Sequence, residues 1–190
     1  MPEPPAPLDD RPAVTRYCAF LRGVNVNGRK MLMADVRSVA EQAGLRDVTT
    51  VLATGNVVFS ADEPAPAVAR QLGEALSDHY DAPVFLFVKD AAQVDQIVDA
   101  VPFEANPDLH VYAFVCDDGF ADTLAEEFAT VTPVADERAT VNQGCFFWQV
   151  PKGSTLDAGF STTLGDRRLR DKFTSRNIST MRKVQAAMSR

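Results

Sequence analysis

The chain has 190 residues, 46% of them hydrophobic and 24% charged, which is enough apolar material for one large domain or two small packed ones. A net charge of −7 and a pI of about 4.8 argue against a general nucleic-acid binder, and no run of about 18 apolar residues offers a membrane span. Cys18, Cys116 and Cys145 are widely spaced in apolar surroundings and read as buried structural thiols. With no Cys/His cluster, the sequence asks for no metal, and none of its motifs calls for a cofactor.

Residues 1–14 are rich in Pro and acids, without a basic stretch leading into an apolar one. They read as a disordered tail rather than a secretory signal, and the protein as cytoplasmic. Residues 15–21 hold the unbroken apolar run Tyr17-Cys18-Ala19-Phe20-Leu21, expected as a strand covered on both faces. A helix over 33–43 follows, with Val36, Val39, Ala40 and Ala43 on one stripe and Gly44 as its stop. Residues 48–52 and 57–60 are strands around Ala53-Thr54-Gly55-Asn56, a hairpin turn or bulge. Pro64 and Pro66 open a helix to about Tyr80, and residues 84–88 form another apolar strand. The order β-α-β-β-α-β over residues 15–89 is ferredoxin-like.

Residues 90–108 read as helix and linker, with Asp90 as cap, Val94, Ile97, Val98 and Val101 on one face, and Pro102 as the end. Residues 109–116 are a strand, and Asp118 is placed to cap a helix bearing Ala121, Leu124, Ala125 and Phe128. Residues 134–141 and 145–150 pair across Asn142-Gln143-Gly144. The end reads as a basic helix over 162–172 and a second over 177–189, capped by Ser175 or Asn177. The expected fold is therefore α+β: two ferredoxin-like β-α-β-β-α halves packed together, the second over 109–190, with a helical C-terminal extension. Charge divides further along the chain, inside the second half. Residues 1–151 hold 10 Lys and Arg against 23 Asp and Glu, whereas residues 152–190 hold 9 against 3. The basic end either docks on the acidic body or faces an anionic partner.

Three segments carry polar groups suited to binding. Arg22 and Gly23-Val24-Asn25-Val26-Asn27-Gly28-Arg29-Lys30 follow the first strand and lead to a helix. A phosphate loop needs Lys directly after the second Gly and then Ser or Thr; Arg29, Lys30 and Met31 stand there instead. A weaker form of the idea keeps Gly23 and Gly28 as hinges that turn backbone amides inward, against the plain alternative of a tight turn. Thr54-Gly55-Asn56 is the second segment. Thr174-Ser175-Arg176-Asn177, read at a helix N-terminus, is the third, equally fit for an anion or for capping.

Together, AFLRGVNVNGRK, MLMAD, ATGNVVF and TSRN resemble the bacterial domain-of-unknown-function family number 1697, with its LRGxNVGG, SGNVVF and TTRNW pattern. The resemblance implies an α+β fold with ferredoxin-like halves and points to Arg22, Gly23, Asn25, Gly28, Gly55, Asn56, Thr174, Arg176 and Asn177 as ligand-binding positions. It adds Thr180 and Lys183 on the last helix. The chain departs from the pattern at Asn27 for Gly, Thr54 for Ser, Ile178 for Trp, and Ser161-Thr162 for Ser-Lys. The leading expectation is a binding module for a phosphate-bearing or other anionic small ligand. An enzyme in which Arg22 and Arg176 clamp an anionic substrate, with Asp35 as the nearest acid or base, is the second; an interaction domain tied together by buried Arg and Asn is the third. Membrane partners are not expected, extended nucleic acid is disfavoured, and nothing sets the oligomeric state or the catalytic residues.

Overall fold

A computed structural model describes residues 14–26, 28–169 and 171–189, so the tail expected over 1–14 lies outside the described residues apart from Val14. In chain order the first half holds β1 (Thr15–Leu21), β2 (Asn25–Val26), β3 (Arg29–Lys30), α1 (Met33–Gln42), β4 (Arg46–Thr50), β5 (Asn56–Ala61), α2 (Ala65–Tyr80) and β6 (Leu86–Asp90). Then come α3 (Ala91–Asp99), β7 (Leu109–Cys116), α4 (Phe120–Ala129), β8 (Arg138–Asn142), β9 (Cys145–Pro151), α5 (Ser161–Leu164), β10 (Phe173–Asn177) and α6 (Ile178–Met188).

The apolar run in β1 is buried along its whole length because β5 and β6 flank it antiparallel and both its faces are covered. Its alternate residues feed two different cores, as the two-residue period of a strand requires. Tyr17, Ala19 and Leu21 pack with Val36 of α1 and Leu72 and Leu76 of α2. Cys18 and Phe20 face the second sheet, meeting Ala113, Val115 and Phe147, with Val94 of α3 and Met181 and Val184 of α6 in the same middle layer. On the far side of the second sheet, Phe114, Phe146 and Trp148 pack with Leu124 of α4 and with Phe160. Each such side chain, fully buried, contributes about 1.5–3 kcal/mol of transfer free energy.

The two four-stranded sheets run β4-β5-β1-β6 and β10-β7-β9-β8, and every pairing in them is antiparallel. The hairpin expected at 142–144 is present, with Gln143 and Gly144 both at positive φ (48° and 76°), the backbone of a two-residue turn matched to strand twist. No described helix is long and apolar enough to cross a membrane.

Several expectations need correction. Residues 162–172 do not form a basic helix: α5 ends at Leu164, and a 3-10 turn covers Arg167–Leu169. Asp166 breaks the run by accepting the Arg168 backbone N–H at 2.8 Å and its guanidinium at 2.6 Å, a local bond that competes with the helix. Thr174-Ser175-Arg176 is not a helix start but most of β10, paired with β7. Asn177 alone caps α6, and α6 packs into the middle layer instead of extending from the body. Gly119, at φ +83°, takes the N-cap position of α4 rather than Asp118. β8 begins at Arg138, because residues 134–137 close a turn through the Glu137 N–H and the Val134 carbonyl.

Candidate functional site

Alternation along β10 sends Phe173 into the outer core and turns Thr174 and Arg176 toward the C-terminal end of β1. Arg176 is 7% exposed, and its guanidinium commits all five N–H groups to oxygens. Nε donates to Asn56 Oδ1; Nη1 donates to Thr174 Oγ1 and to the Ser175 carbonyl, both at 2.8 Å. Nη2 donates to the carbonyls of Leu21 at 2.7 Å and Gly55 at 3.1 Å. Asn56 is held for this by its own amide, which donates to the Val51 carbonyl (2.8 Å) and Thr54 Oγ1 (2.9 Å). Gly55 is required: at φ +75°, an added Cβ would lie 2.9 Å from Leu21 Cβ. The Leu21 N–H, in turn, donates to the Gly55 carbonyl at 2.8 Å.

Every acceptor around Arg176 is neutral, and no carboxylate pairs with it among the described residues. Burial pushes the guanidinium down to about 10, so it stays charged at neutral pH. Cys18 lies within reach of that charge, yet burial dominates and holds its thiol far above the ordinary range. This thiol is no nucleophile.

Arg22, just past β1, points the other way around Phe173. Its Nη1 donates to the Phe173 carbonyl and Nη2 to the Leu164 carbonyl at 3.1 Å, while its guanidinium carbon stands 4.3 Å from the Phe173 ring centroid. Between the two arginines opens a cleft of about 430 Å³, lined by Arg22, Gly23, Thr54, Thr174, Ser175 and Arg176. Gly55 and Asn56 lie behind it as Arg176 acceptors.

The remaining sequence candidates do not meet there. Asn25-Val26 and Arg29-Lys30 pair antiparallel as β2 and β3, with Asn25 opposite Lys30. Asn25 is exposed, and Gly28, at φ +74°, has nothing near its Cβ position. Asn177 accepts from the Ser179 N–H (2.9 Å) and hydroxyl (2.8 Å) and borders a separate groove with Ile178 and Arg182. Lys183 lines another groove with Arg16, and Asp35 is exposed in the first turn of α1, away from the cleft lining.

A second buried charge went unread in the sequence. Glu137 is 5% exposed; one oxygen accepts from Trp148 Nε1 and the Phe160 N–H, both at 3.0 Å, and the other from the N–H groups of Val134 (2.8 Å) and Gly159 (3.0 Å). Burial alone would raise its pKa, but these donors hold the carboxyl below its ordinary value of 4.5. A lone Glu in a loop has no pattern to announce it. The one sequence signal is Trp148, an apolar-strand residue whose indole N–H must find an acceptor once buried.

The profile of a family described as a protein of unknown function (DUF1697) matches residues 14–147, ending before β10 and Arg176. Among solved structures, the conserved bacterial protein SP0830 from Streptococcus pneumoniae superposes with a TM-score of 0.76 at 19% sequence identity, over 94% of this chain and 100% of that one. A likeness at that identity speaks for the fold alone. No curated protein matches the sequence significantly. With its profile matched across both β1 and most of the second sheet, the chain belongs to the DUF1697 family.

Proposed function

We propose that this protein is a binding module for a phosphate-bearing or other anionic small ligand, taken up in the cleft between Arg22 and Arg176. The observation that carries the reading is the Arg176 guanidinium, a buried positive charge surrounded only by neutral oxygens at the wall of an open cleft. Burying an ion is unfavourable unless an opposite charge accompanies it, and dipoles return only part of the lost hydration. An anion in the cleft supplies the missing charge. Because its N–H groups are already used, Arg176 acts on that ligand through its field. Arg22, the Gly23 amide and the hydroxyls of Thr54 and Ser175 are the groups to touch it. No carboxylate or imidazole lines the cleft among the described residues, so general acid–base chemistry has no carrier there, and binding is preferred over catalysis.

The structural reading has an observation of its own. The Arg176 bonds to Asn56, Gly55 and Leu21 span 120, 121 and 155 positions of sequence and join the second sheet to the first, with or without a ligand. We also infer that both halves are ferredoxin-like units. In support, the strands of each sheet, numbered in chain order, lie side by side as fourth, first, third and second.

The test is a thermal-shift panel of phosphate, nucleotides, sugar phosphates and short RNA on wild type and Ser175→Glu, which brings a carboxylate to the cleft. A ligand of the folded state raises the melting temperature of wild type. Ser175→Glu is expected to melt higher on its own and to lose the ligand response. If no anion shifts wild type while Arg22→Ala unfolds the chain, the structural reading stands instead.

A further inference from the structure

We propose that a second cavity, built around Lys89, binds the carboxylate of a small and otherwise apolar molecule. The cavity has a volume of about 210 Å³ and forms where β6 and α3 meet the second sheet; its lining includes Lys89, Gln93, Ile97, Phe114, Cys116 and Cys145. It shares no lining residue with the cleft at Arg176.

The Lys89 side chain is only 16% exposed, yet the nearest acid to its Nζ is Asp118 Oδ1 at 3.9 Å, beyond hydrogen-bond range. Asp118 is itself fully exposed and, among the described residues, held by no other ion pair, so it is a loose rim partner. An ammonium offers three donors, and among the described residues none of them meets an acceptor at bonding distance. Arg176 differs on this point, since its donors are all taken by protein oxygens. Lys89 therefore has hydrogen bonds left to give.

The neighbours define what would take them. Gln93 is fixed by the capping box of α3, where its Oε1 accepts the Asp90 N–H at 3.1 Å; the amide nitrogen has no acceptor among the described residues. Gln96 ties the lip of the cavity to the β8–β9 turn by donating to the Gln143 carbonyl at 3.1 Å. Cys116 and Cys145 do not supply a counter-charge: burial pushes both thiols up, Cys116 to about 11, so they are neutral walls at pH 7. One cation beside one amide donor suits a singly charged carboxylate. Asp117 and Asp118 at the rim disfavour a dianion such as phosphate. Ile97 and Val115, on the middle-layer side of the second sheet, provide an apolar bed for the rest of the molecule, and the volume restricts it to a compact one.

The experiment is ligand-observed saturation-transfer NMR on the full chain, with benzoate as probe and benzamide as its neutral counterpart. Wild type is expected to transfer saturation to benzoate and not to benzamide. Lys89→Met should weaken the benzoate affinity at least about tenfold, the loss of one charge-assisted contact. Gln96→Trp, which changes an exposed residue and fills the lip, should do the same, and it decides the matter if Lys89→Met fails to fold. No transfer from wild type, equal transfer to benzamide, or unchanged benzoate binding in a folded variant overturns the proposal. Benzoate binding lost only in Arg22→Ala would place the probe in the other cleft and overturns it too.

Discussion

Two buried charges organise this molecule, and they are satisfied in opposite ways. Glu137 is an anion enclosed by four N–H donors, all within the second half: a side chain of β9 and three backbone amides of the loops over it. Arg176 is a cation enclosed by neutral oxygens drawn from both halves, next to an open cleft. Around Glu137 there is no space to spare: a Cβ on Gly159 would fall 2.2 Å from the Thr132 carbonyl oxygen. The difference separates a closed structural latch from a charge that an external partner can still stabilise. Both are buried, at 5% and 7% exposed; what distinguishes them is whether open space lies beside the charge.

The comparison breaks first at Glu137. Replacing it by Ala leaves the Trp148 indole and three backbone N–H groups buried without acceptors, and is expected to cost about 3–5 kcal/mol in urea unfolding. The same carboxylate predicts a pH signature. Its folded pKa is depressed, so its stabilisation is complete above the unfolded value of 4.5 and is lost as pH falls through the lower folded value. The stability gap between wild type and Glu137→Gln should therefore be widest near neutrality and shrink below pH 4.5. A gap that does not change with pH would contradict the latch.

Arg176→Met is expected to cost less, about 1–3 kcal/mol, although it removes five hydrogen bonds. The substitution abandons carbonyl acceptors but also relieves a buried charge with no opposite partner. If it proves as damaging as Glu137→Ala, the contrast between the two hubs fails. At the small end is Asn25→Ala. Its side chain is exposed on β2, so stability should change by less than about 0.5 kcal/mol, and anion binding in the cleft should be unaffected.

Local patterns were legible, and long-range ones were not. β1 shows in the sequence because Tyr17 to Leu21 is apolar without alternation, and α1 because Val36, Val39 and Ala40 return at helical spacing. β10 is short and mostly polar, so its register gave no signal; it is a strand because β7 and the Arg176 bonds hold it there. The run at 162–172 shows no apolar stripe at helical spacing, and Gly165 and the Asp166–Arg168 bond divide it. Around the cleft, Arg22, Gly23, Gly55, Asn56, Thr174 and Arg176 belong to three separate sequence segments that the fold brings together. Asn25, Gly28 and Asn177 share those segments and lie elsewhere, because a strand or hairpin turns alternate residues to different faces.

The basic end of the chain answers one question left by composition. Among the described residues, Arg168 alone of the basic end forms an ion pair with an acid of the body, at 3.8 Å from Glu127, and its stronger partner is Asp166 within its own turn. Lys172 pairs with the adjacent Asp171 at 3.3 Å. The basic segment is thus joined to the body by β10, by α6 and by the Arg176 bonds to neutral oxygens, and hardly by ion pairs.

The central claim is that the Arg176 charge draws an anion into the cleft. It is tested most directly by the melting temperature of wild type and Arg176→Met across a phosphate titration at constant ionic strength. The account predicts a rise in wild type that is absent from the folded variant. Equal responses in both proteins, or none in wild type with any phosphate compound, would contradict it.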